Sequence, residues 1–595
     1  MNVKRKGFFM MAGKDLFYWT RRLSIFVIAV LYTLATSISV ISNHFYATPG
    51  MNKALPVLII FGDGLVPLLF FLGALIFRNR YCAIGAVTIT FFNIFLRLSS
   101  VIIFRETFMP LDYFALKLLF IHTNFEALQA VMGQYFYLWL VPAVLTVICS
   151  VSYSCFLVWK TAGKEPKKYS RISLAVVFLL LILSMTANVV FPFLKGDEPK
   201  QDPVTPLPII VLNLTRGFID DISFKDSFEP VPLPQESREL LIQEGVIPAA
   251  KEVQKDLFDR IIIIALESFD YHYIGKNNPE MPQGITPNLD RLSQEYVSMK
   301  NYFAAAQPTS WGLTSLILSR FDYERDKLMP TVSLFSAMQK KGFHSFYFAA
   351  SPGYFEQNKK NYQRMFQPDT MFFREEFFEK YDYGVENEWG LSDKTLYAGI
   401  YEELADCPSD RFIAVISTID THFPYHHSEL TPEEENRFPN KFLQSIYSSD
   451  RELNVFLQKI MQNPELYNER TLIIVTADHT ATHGENYTKR TDFHPERIPL
   501  IFITPNQKIF RKLNPGKYAS SIDLAPTIMD LTGCEIPGTF MGRSLFSNKN
   551  CAMTATHGSY LQIHYPEKSL LFNMDKPEDK LQTAYRDYYY SFYGK

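Results

Sequence analysis

The chain has 595 residues, a net charge of −2 at pH 7 and a mean hydropathy of −0.03. This length exceeds what one hydrophobic core needs, so we expect at least two structural units. The balanced charge gives no nucleic-acid footprint, and we expect no nucleic acid among the partners. The 6 cysteines include no CxxC pair, which excludes a zinc knuckle, a CxxC redox motif and a dense disulfide framework.

Five apolar segments occupy the first third of the chain, and each is long enough, at roughly 20 residues, to cross a hydrocarbon core as a helix. Basic residues cluster before the first segment, between the second and third, and between the fourth and fifth. This asymmetry places the N-terminus in the cytoplasm and everything after the fifth segment outside. We therefore predict a transmembrane domain of five helices at residues 1–194. The segments are about Leu23–Ser42, Pro56–Phe77, Cys82–Phe104, Tyr137–Trp159 and Ser173–Phe193.

A linker is predicted at residues 195–256, where repeated prolines between Pro199 and Pro234 prevent one continuous helix and favour an extended connection with interfacial helices. A catalytic domain is predicted at 257–550, followed by a C-terminal extension at 551–595. In this domain apolar runs alternate with helical patterns, which indicates an α/β fold with a mostly parallel sheet between helices. The runs are Arg260–Leu266, His344–Ala349, Arg411–Ser417, Arg470–Thr476 and Leu500–Ile503.

Three of these runs are followed by acidic or histidine side chains that could bind a metal or act in catalysis. The first ends in Glu267, the third continues to His422 through Asp420 and Thr421, and the fourth continues to Asp478 and His479. Ligand-binding groups in open α/β sheets lie just past the carboxyl ends of the strands. Two carboxylates and an imidazole suit Mn²⁺, Zn²⁺ or Mg²⁺. A single acid at a strand end has the alternative role of capping the next turn.

Thr309 follows Pro308 and precedes the helix-like sequence GLTSLILSR. A hydroxyl at a helix N-terminus lies near an anion-binding dipole and can serve as a nucleophile when a metal activates it. The alternative role for a threonine after a loop is an N-cap.

Together these residues resemble the alkaline phosphatase/sulfatase superfamily, as do TPNLDRL at Thr286–Leu292, SSIDLAPTIMDLTG at Ser520–Gly533 and GRSL at Gly542–Leu545. A sulfatase needs a Cys or Ser within C/S-x-P-x-R for conversion to formylglycine. This chain reads TSWGL from Thr309, which argues against sulfate-ester hydrolysis. The five spans, the threonine and WGLSDK at Trp389–Lys394 resemble more specifically the lipoteichoic acid synthases and the phosphoglycerol transferases of periplasmic glucans.

The resemblance implies that Thr309 is the nucleophile and that His422 is the substrate-site histidine. It implies a divalent metal, Mn²⁺ ahead of Zn²⁺ or Mg²⁺, held by Glu267, Thr309, Asp478 and His479. Two further residues, in the sequence DFHPERIPL, are predicted to contact substrate phosphate or a second metal: His494 and Arg497.

One departure concerns the headgroup pocket. Lipoteichoic acid synthases carry a His followed by a Trp and an Arg that hold glycerophosphate, whereas this chain reads AASPGYFEQN at Ala349–Asn358.

The predicted enzyme lies in the bacterial cytoplasmic (inner) membrane with its catalytic domain outside. It moves a phosphoglycerol headgroup from a membrane phospholipid, phosphatidylglycerol, to a glycan or glycerophosphate polymer through a phospho-threonine. One alternative is a phosphoethanolamine transferase acting on lipid A or another glycan, although such enzymes carry several disulfides that Cys407, Cys534 and Cys551 are too few to build. A second alternative is a phosphodiesterase that gives the same intermediate to water. A third is a non-catalytic sensor, which the complete set of catalytic side chains argues against.

Overall fold

The structure, a computed structural model, describes residues 231–247, 255–322, 326, 331–353, 358–381, 390–422, 425, 427–438, 440–480, 497–555 and 560–594. Every described residue belongs to one unit, which includes Lys225–Lys595. The five predicted transmembrane segments lie outside the described residues. Within the described ranges, no helix combines the length and apolar character that a membrane crossing needs.

The described strands are β1 (Arg260–Leu266), β2 (Val297–Ser298), β3 (Asn301–Phe303), β4 (His344–Ala349), β5 (Thr370–Phe372), β6 (Phe412–Ser417), β7 (Thr471–Ala477), β8 (Ile501–Ile503), β9 (Tyr518–Ser520), β10 (Ala552–Ala555), β11 (Tyr560–His564) and β12 (Ser569–Asn573). The described α-helices are α1 (Gln235–Gln243), α2 (Pro287–Glu295), α3 (Thr309–Leu318), α4 (Leu334–Gln339), α5 (Asn358–Met365), α6 (Arg374–Tyr381), α7 (Asp393–Ala405), α8 (Pro432–Arg437), α9 (Lys441–Gln462), α10 (Leu524–Leu531) and α11 (Lys580–Tyr593).

A seven-stranded sheet forms the centre of this part of the chain, in the order β2-β8-β7-β1-β6-β4-β5. The five strands from β7 to β5 run parallel, while β8 is antiparallel to β7 and β2 is antiparallel to β8. β1 lies between β6 and β7, and its residues Ile261–Ile264 are at most 1% exposed. A strand buried on both faces needs apolar side chains at successive positions, which explains the four isoleucines. The predicted α/β fold with a mostly parallel sheet is confirmed.

The helices form two groups of contacting elements. α2 and α7 both contact α9, and α3, α4 and α10 contact one another. α3 is apolar over most of its length, and Leu313 and Leu316–Leu318 are at most 1% exposed. A helix that is apolar on nearly all sides belongs in the interior. The element that begins at Thr309 is therefore a core helix rather than a surface helix.

A second, smaller core lies at the end of α3. The sheet β10-β11-β12 is antiparallel, and α11 packs against α1. The Tyr593 hydroxyl, at the end of α11, accepts hydrogen bonds from the N–H groups of Phe321 at 3.0 Å and Asp322 at 2.9 Å. The Met541 N–H donates to the Ser319 carbonyl at 3.0 Å. These contacts fix the C-terminal end of α3, while the proposed domain boundaries stay predictions.

Candidate active site

Glu267 and Asp478 directly follow neighbouring parallel strands. β1 and β7 pair so that Leu266 lies opposite Ala477, and the Asp478 N–H donates to the Leu266 carbonyl at 3.3 Å. Parallel strands in this register end at the same edge of the sheet, so the two carboxylates arrive side by side. Each is 1% exposed.

The structure brings together the four side chains that we predicted as metal ligands. The Thr309 hydroxyl lies 3.2 Å from Glu267 Oε2 and 3.3 Å from His479 Nε2. His479 Nε2 lies 3.7 Å from Glu267 Oε1 and 3.6 Å from Asp478 Oδ2. One ligand atom from each of Glu267, Asp478 and His479 lies within 4.8 Å of the others. An ion with ligand distances of about 2 Å can bridge atoms at such separations.

A backbone hydrogen bond fixes the orientation of the His479 ring. Its Nδ1 lies 2.7 Å from the Thr480 carbonyl oxygen, which can only accept a hydrogen bond. Nδ1 therefore donates a hydrogen bond to this oxygen, and Nε2 is the ring nitrogen that faces Glu267, Thr309 and Asp478. An imidazole whose distal N–H donates to a backbone carbonyl has the arrangement of a metal ligand.

Asp478 has one satisfied and one unsatisfied oxygen. Its Oδ1 accepts the N–H groups of Ser268 at 2.9 Å and of His479 at 2.6 Å. Its Oδ2 is buried and has no hydrogen-bond partner. A buried acceptor without a partner costs free energy, and native proteins rarely leave one without a ligand or an ion. Oδ2 is on the side of His479 Nε2, so these atoms fit a shared cation.

The electrostatics of the carboxylates lead to the same conclusion. Burial, together with the charge of Glu267, raises the pKa of Asp478 well above its usual value. Two buried carboxylates repel each other, and a cation between them removes that repulsion. Among the described residues, His479 is the one basic side chain within ion-pair distance of either acid. The residues therefore fit a divalent metal.

Two backbone features hold this geometry. Ser268 has φ of 50°, a left-handed conformation that non-glycine residues seldom adopt, and its hydroxyl donates to Glu267 Oε1 at 2.6 Å. Gly312, in the first turn of α3, lies against Asp478: a Cβ at Gly312 would be 2.3 Å from the Asp478 carbonyl oxygen. Glycine allows α3 to approach closely enough for Thr309 to reach the acids.

Thr309 is the first residue of α3, and Pro308, not Thr309, occupies the N-cap position. The Thr309 hydroxyl faces the acids instead of capping its own helix, so the alternative N-cap role is wrong. A helix N-terminus carries partial positive charge and unpaired N–H groups, both of which favour a bound phosphate.

His422 lies in the turn after β6, one residue past Thr421, which contacts the end of β1. The Thr421 hydroxyl donates to the Glu267 backbone carbonyl, and the His422 N–H donates to the Ile419 carbonyl at 2.8 Å. The structure thus places the backbone of this turn against the end of β1. Its role toward a substrate stays a prediction.

Of the two remaining predicted residues, the structure describes Arg497 but not His494. His494 lies outside the described residues. The Arg497 guanidinium carbon is 5.8 Å from the centre of the Phe303 ring, and its backbone carbonyl accepts the Tyr271 N–H at 3.0 Å. Within the described ranges, Arg497 makes no hydrogen bond or ion pair to the four site residues.

Sequence reasoning missed the residues that shape the site without ligating anything. Ser268, Gly312 and Thr421 act through backbone conformation, close approach and a single hydrogen bond. For Gly312 a signal existed, because a glycine inside an apolar helical pattern often marks a close contact. Asp393 and Asp420 were also present in the quoted runs without an assigned role.

Comparisons with known proteins agree with this fold. Residues 259–534 match the Sulfatase family model. The chain is 22% identical to lipoteichoic acid synthase 2 of Bacillus subtilis (strain 168), over 88% of this chain and 83% of that protein.

Solved structures are also similar. The integral membrane protein lipooligosaccharide phosphoethanolamine transferase A of Neisseria meningitidis has a TM-score of 0.55 at 12% identity, covering 88% of this chain and 97% of that chain. A lipoteichoic acid synthase of Listeria monocytogenes has a TM-score of 0.43 at 18% identity, covering 63% of this chain and 95% of that chain. The first likeness shows a shared fold. Together with the parallel sheet and the acids at its edge, the family match identifies residues 259–534 as a Sulfatase-family domain.

Proposed function

We propose that this chain is a metal-dependent phosphotransferase that moves a phosphoglycerol headgroup from phosphatidylglycerol to a cell-envelope glycan or glycerophosphate polymer. The observation that carries this proposal is the Thr309 hydroxyl, held at the start of α3 within 3.2 Å of Glu267 and 3.3 Å of His479. A hydroxyl is a weak nucleophile, and this environment is the kind that activates one.

The metal set comprises Glu267, Thr309, Asp478 and His479, and its oxygen and nitrogen donors suit Mn²⁺, with Zn²⁺ and Mg²⁺ as alternatives. When bound, a divalent cation lowers the pKa of the hydroxyl and neutralises charge on the phosphoryl oxygens. Two atoms are placed to hold such an ion: Asp478 Oδ2 is buried without a hydrogen-bond partner, and His479 Nε2 faces the acids while Nδ1 donates to the backbone.

In the first step Thr309 Oγ attacks the phosphorus of the donor lipid. The Oγ–P bond forms, the bond from phosphorus to the diacylglycerol oxygen breaks, and the Thr309 proton passes to Glu267. His422 donates a proton to the leaving oxygen, so that diacylglycerol departs as a neutral alcohol. In the second step an acceptor hydroxyl attacks the phospho-threonine and gives its proton to His422. The Oγ–P bond breaks, and Glu267 returns to Thr309 Oγ the proton that it accepted in the first step.

The phosphate of the donor has two proposed contacts besides the metal set. The N-terminus of α3 offers N–H groups beside Thr309. His494 and Arg497 are proposed as further contacts.

The Arg497 guanidinium carbon lies 5.8 Å from the centre of the Phe303 ring. A guanidinium suits a phosphate because its planar N–H groups can donate to two phosphate oxygens together.

The lipid donor and the cellular location are proposed on the predicted membrane segments and on the named relatives. A protein whose substrate is a membrane lipid needs its active site at the surface of the bilayer, and five spans before the catalytic domain supply that placement. We propose the bacterial cytoplasmic membrane, with the catalytic domain outside. A reporter fused after Phe193 should behave as extracytoplasmic and one fused after Lys164 as cytoplasmic. The reverse orientation would contradict the lipid-donor mechanism.

The function is tested with the full-length protein in membranes and two donors, phosphatidylglycerol and phosphatidylethanolamine, each labelled in its headgroup. Release of diacylglycerol from phosphatidylglycerol, with the label moving to a glycan or polymer, supports the proposal. Use of phosphatidylethanolamine instead would make the chain a phosphoethanolamine transferase. Label that appears as free glycerophosphate would make it a phosphodiesterase, and no turnover of either lipid would favour a non-catalytic role.

A further inference from the structure

The sequence WGLSDK contains a buried acid that the proposed reaction does not use. Asp393 is the first residue of α7 and is fully buried. Its Oδ1 accepts the N–H groups of Ile419 at 2.9 Å and Asp420 at 3.2 Å. Its Oδ2 accepts the Ser449 hydroxyl at 3.1 Å. Asp393 therefore binds the turn after β6 from a different part of the chain.

The bonding is reciprocal. Asp420 is also fully buried, and its Oδ1 accepts the Asp393 N–H at 3.1 Å. A carboxylate at the first N–H of a helix is stabilised by the helix dipole. Each acid thus holds the backbone of the other, which links the start of α7 to the turn at residues 419–422.

The same turn is fixed on its other side to the candidate active site. Thr418 donates its N–H to the Ala265 carbonyl at 3.2 Å and accepts the Glu267 N–H on its hydroxyl at 3.0 Å. The Thr421 hydroxyl donates to the Glu267 carbonyl. The turn that carries His422 therefore has two anchors, the end of β1 and the Asp393 carboxylate.

The residues before Asp393 are held as well. The Leu391 N–H donates to the Ala350 carbonyl at 3.1 Å, at the end of β4. A Cβ at Gly390 would lie 2.2 Å from that same carbonyl oxygen, so the backbone approaches as closely as glycine allows. The backbone just before Asp393 is therefore in direct contact with the end of β4.

We infer that Asp393 is a positioning residue that holds the turn at residues 419–422 and thereby aims His422 at the leaving oxygen. This inference rests on the proposed function, because it assigns His422 the proton that the departing oxygen needs. Burying two carboxylates costs free energy, and the site retains both where apolar side chains would pack at lower cost. Burial also raises the pKa of Asp393 to about 6.

The test compares two donors that carry the same glycerophosphoryl group. Phosphatidylglycerol releases an alkoxide that needs a proton, whereas a 4-nitrophenyl ester of glycerophosphate releases a phenolate that does not. In the full-length protein, Asp393→Ala should slow diacylglycerol release by about 100-fold, the size usual for a lost general acid. It should change the rate of 4-nitrophenolate release in the first turnover by less than about threefold, because His422 acts as a base only in the later, second step. His422→Ala should show the same split, and Asp393→Asn should restore most of the lost activity, since its amide oxygen can still accept both N–H groups.

Asp450 supplies the matched control. It is 1% exposed and accepts the N–H groups of Asn288 at 3.0 Å and Leu289 at 2.7 Å at the start of α2. Asp450→Ala removes a buried helix-capping carboxylate that makes no bond to the turn at 418–422, so it should show no split between the donors. If Asp393→Ala does not accumulate, Ser449→Ala removes the donor to Asp393 Oδ2 and should give a smaller split in the same direction.

Amide hydrogen exchange gives a readout that is independent of turnover. The amides of Ile419 and Asp420 should exchange faster in Asp393→Ala than in the wild type, and should be unchanged in Asp450→Ala. Equal losses with both donors, or unchanged exchange at these amides, would overturn the inference. A wild-type protein that turns over neither donor would overturn the proposed function instead, and the exchange result would still decide whether Asp393 holds the turn.

Discussion

Two pairs of buried acids lie at the carboxyl edge of the sheet, and they are satisfied differently. In the pair Asp393 and Asp420, each carboxylate oxygen accepts at least one hydrogen bond from the protein. In the pair Glu267 and Asp478, the Asp478 Oδ2 atom is buried without a partner. Burial raises the pKa of Asp393 and of Asp478 alike.

The difference shows what each pair is built to bind. A carboxylate whose oxygens already accept hydrogen bonds from the protein holds the chain, whereas one with an unfilled oxygen beside an imidazole nitrogen fits a cation from outside. Burial and a raised pKa are common to both pairs, so neither property alone identifies a metal site. The two pairs differ in whether a carboxylate oxygen is left without a hydrogen-bond partner, as Asp478 Oδ2 is.

The largest effect is expected at Thr309. Thr309→Ala removes both the proposed nucleophile and one metal ligand, and diacylglycerol release should fall by at least about 1,000-fold. Thr309→Ser keeps the hydroxyl and should retain part of the activity. Mass spectrometry of donor-treated protein should find a glycerophosphoryl adduct on Thr309 within Gln307–Arg320.

Ser310 is the matched control for this experiment, since it carries the neighbouring hydroxyl of the same helix. Ser310→Ala should keep the adduct. An adduct that maps to Ser310, or persists in Thr309→Ala, would move the nucleophile by one residue. The absence of any adduct would favour direct attack by water.

The second prediction compares the two acid pairs directly. Asp478→Asn should weaken metal binding by at least about 100-fold, because the loss of a supporting residue alone costs about 10- to 100-fold. Asp393→Asn should keep the bound metal, since its carboxylate is already filled by the protein. Metal content of the purified full-length variants measures this, and His479→Ala should behave like Asp478→Asn. Equal metal loss in Asp393→Asn and Asp478→Asn would remove the distinction.

Gly312 gives the third prediction. In Gly312→Ala the added methyl would meet the Asp478 carbonyl at 2.3 Å, so α3 must shift away from the acids. Such overpacking costs about 1–3 kcal/mol of stability and should also separate Thr309 from Glu267. Thermal unfolding together with metal content tests it. An alanine substitution that left both unchanged would show that Thr309 does not need this close approach.

The last prediction concerns another buried acid, Asp450, whose oxygens also accept hydrogen bonds from the protein. Burial raises its pKa from 3.8 to about 6, so the folded state keeps a proton that the unfolded state loses between those values. Stability should therefore fall as pH rises through this window, by about 3 kcal/mol in total. Asp450→Asn should lack this dependence, and unfolding measured from pH 3.5 to 7 compares the two. Parallel curves for wild type and variant would contradict the prediction.

The sequence predicted the parts of the site that depend on where apolar runs stop. The predicted run at Arg260–Leu266 is β1, and Glu267 follows it because a buried strand ends where its apolar residues end. Asp478 and His479 follow β7 for the same reason. Thr309 required more, since an N-cap and a nucleophile look alike in sequence and the family resemblance decided between them.

The remaining features depend on contacts between distant residues. β8 is antiparallel to β7, but its three apolar residues, Ile501–Ile503, would look the same in a parallel strand. The exchange of hydrogen bonds between Asp393 and Asp420 joins two loops whose meeting depends on the order of the strands. The left-handed backbone of Ser268 could not be predicted from the sequence either, because serine seldom adopts that conformation.

The bonds that Tyr593 makes to the end of α3 impose an order on biosynthesis. Phe321 and Asp322 donate to a hydroxyl that is translated 272 and 271 residues later. At the rates of ribosomes, this interval is on the order of tens of seconds. During that time the helix that begins at Thr309 lacks the clamp at its far end. In the nascent chain Thr309 is therefore made early, and the Tyr593 hydroxyl that binds the end of its helix is made late. The complete set of contacts around α3 forms only after α11 has left the ribosome.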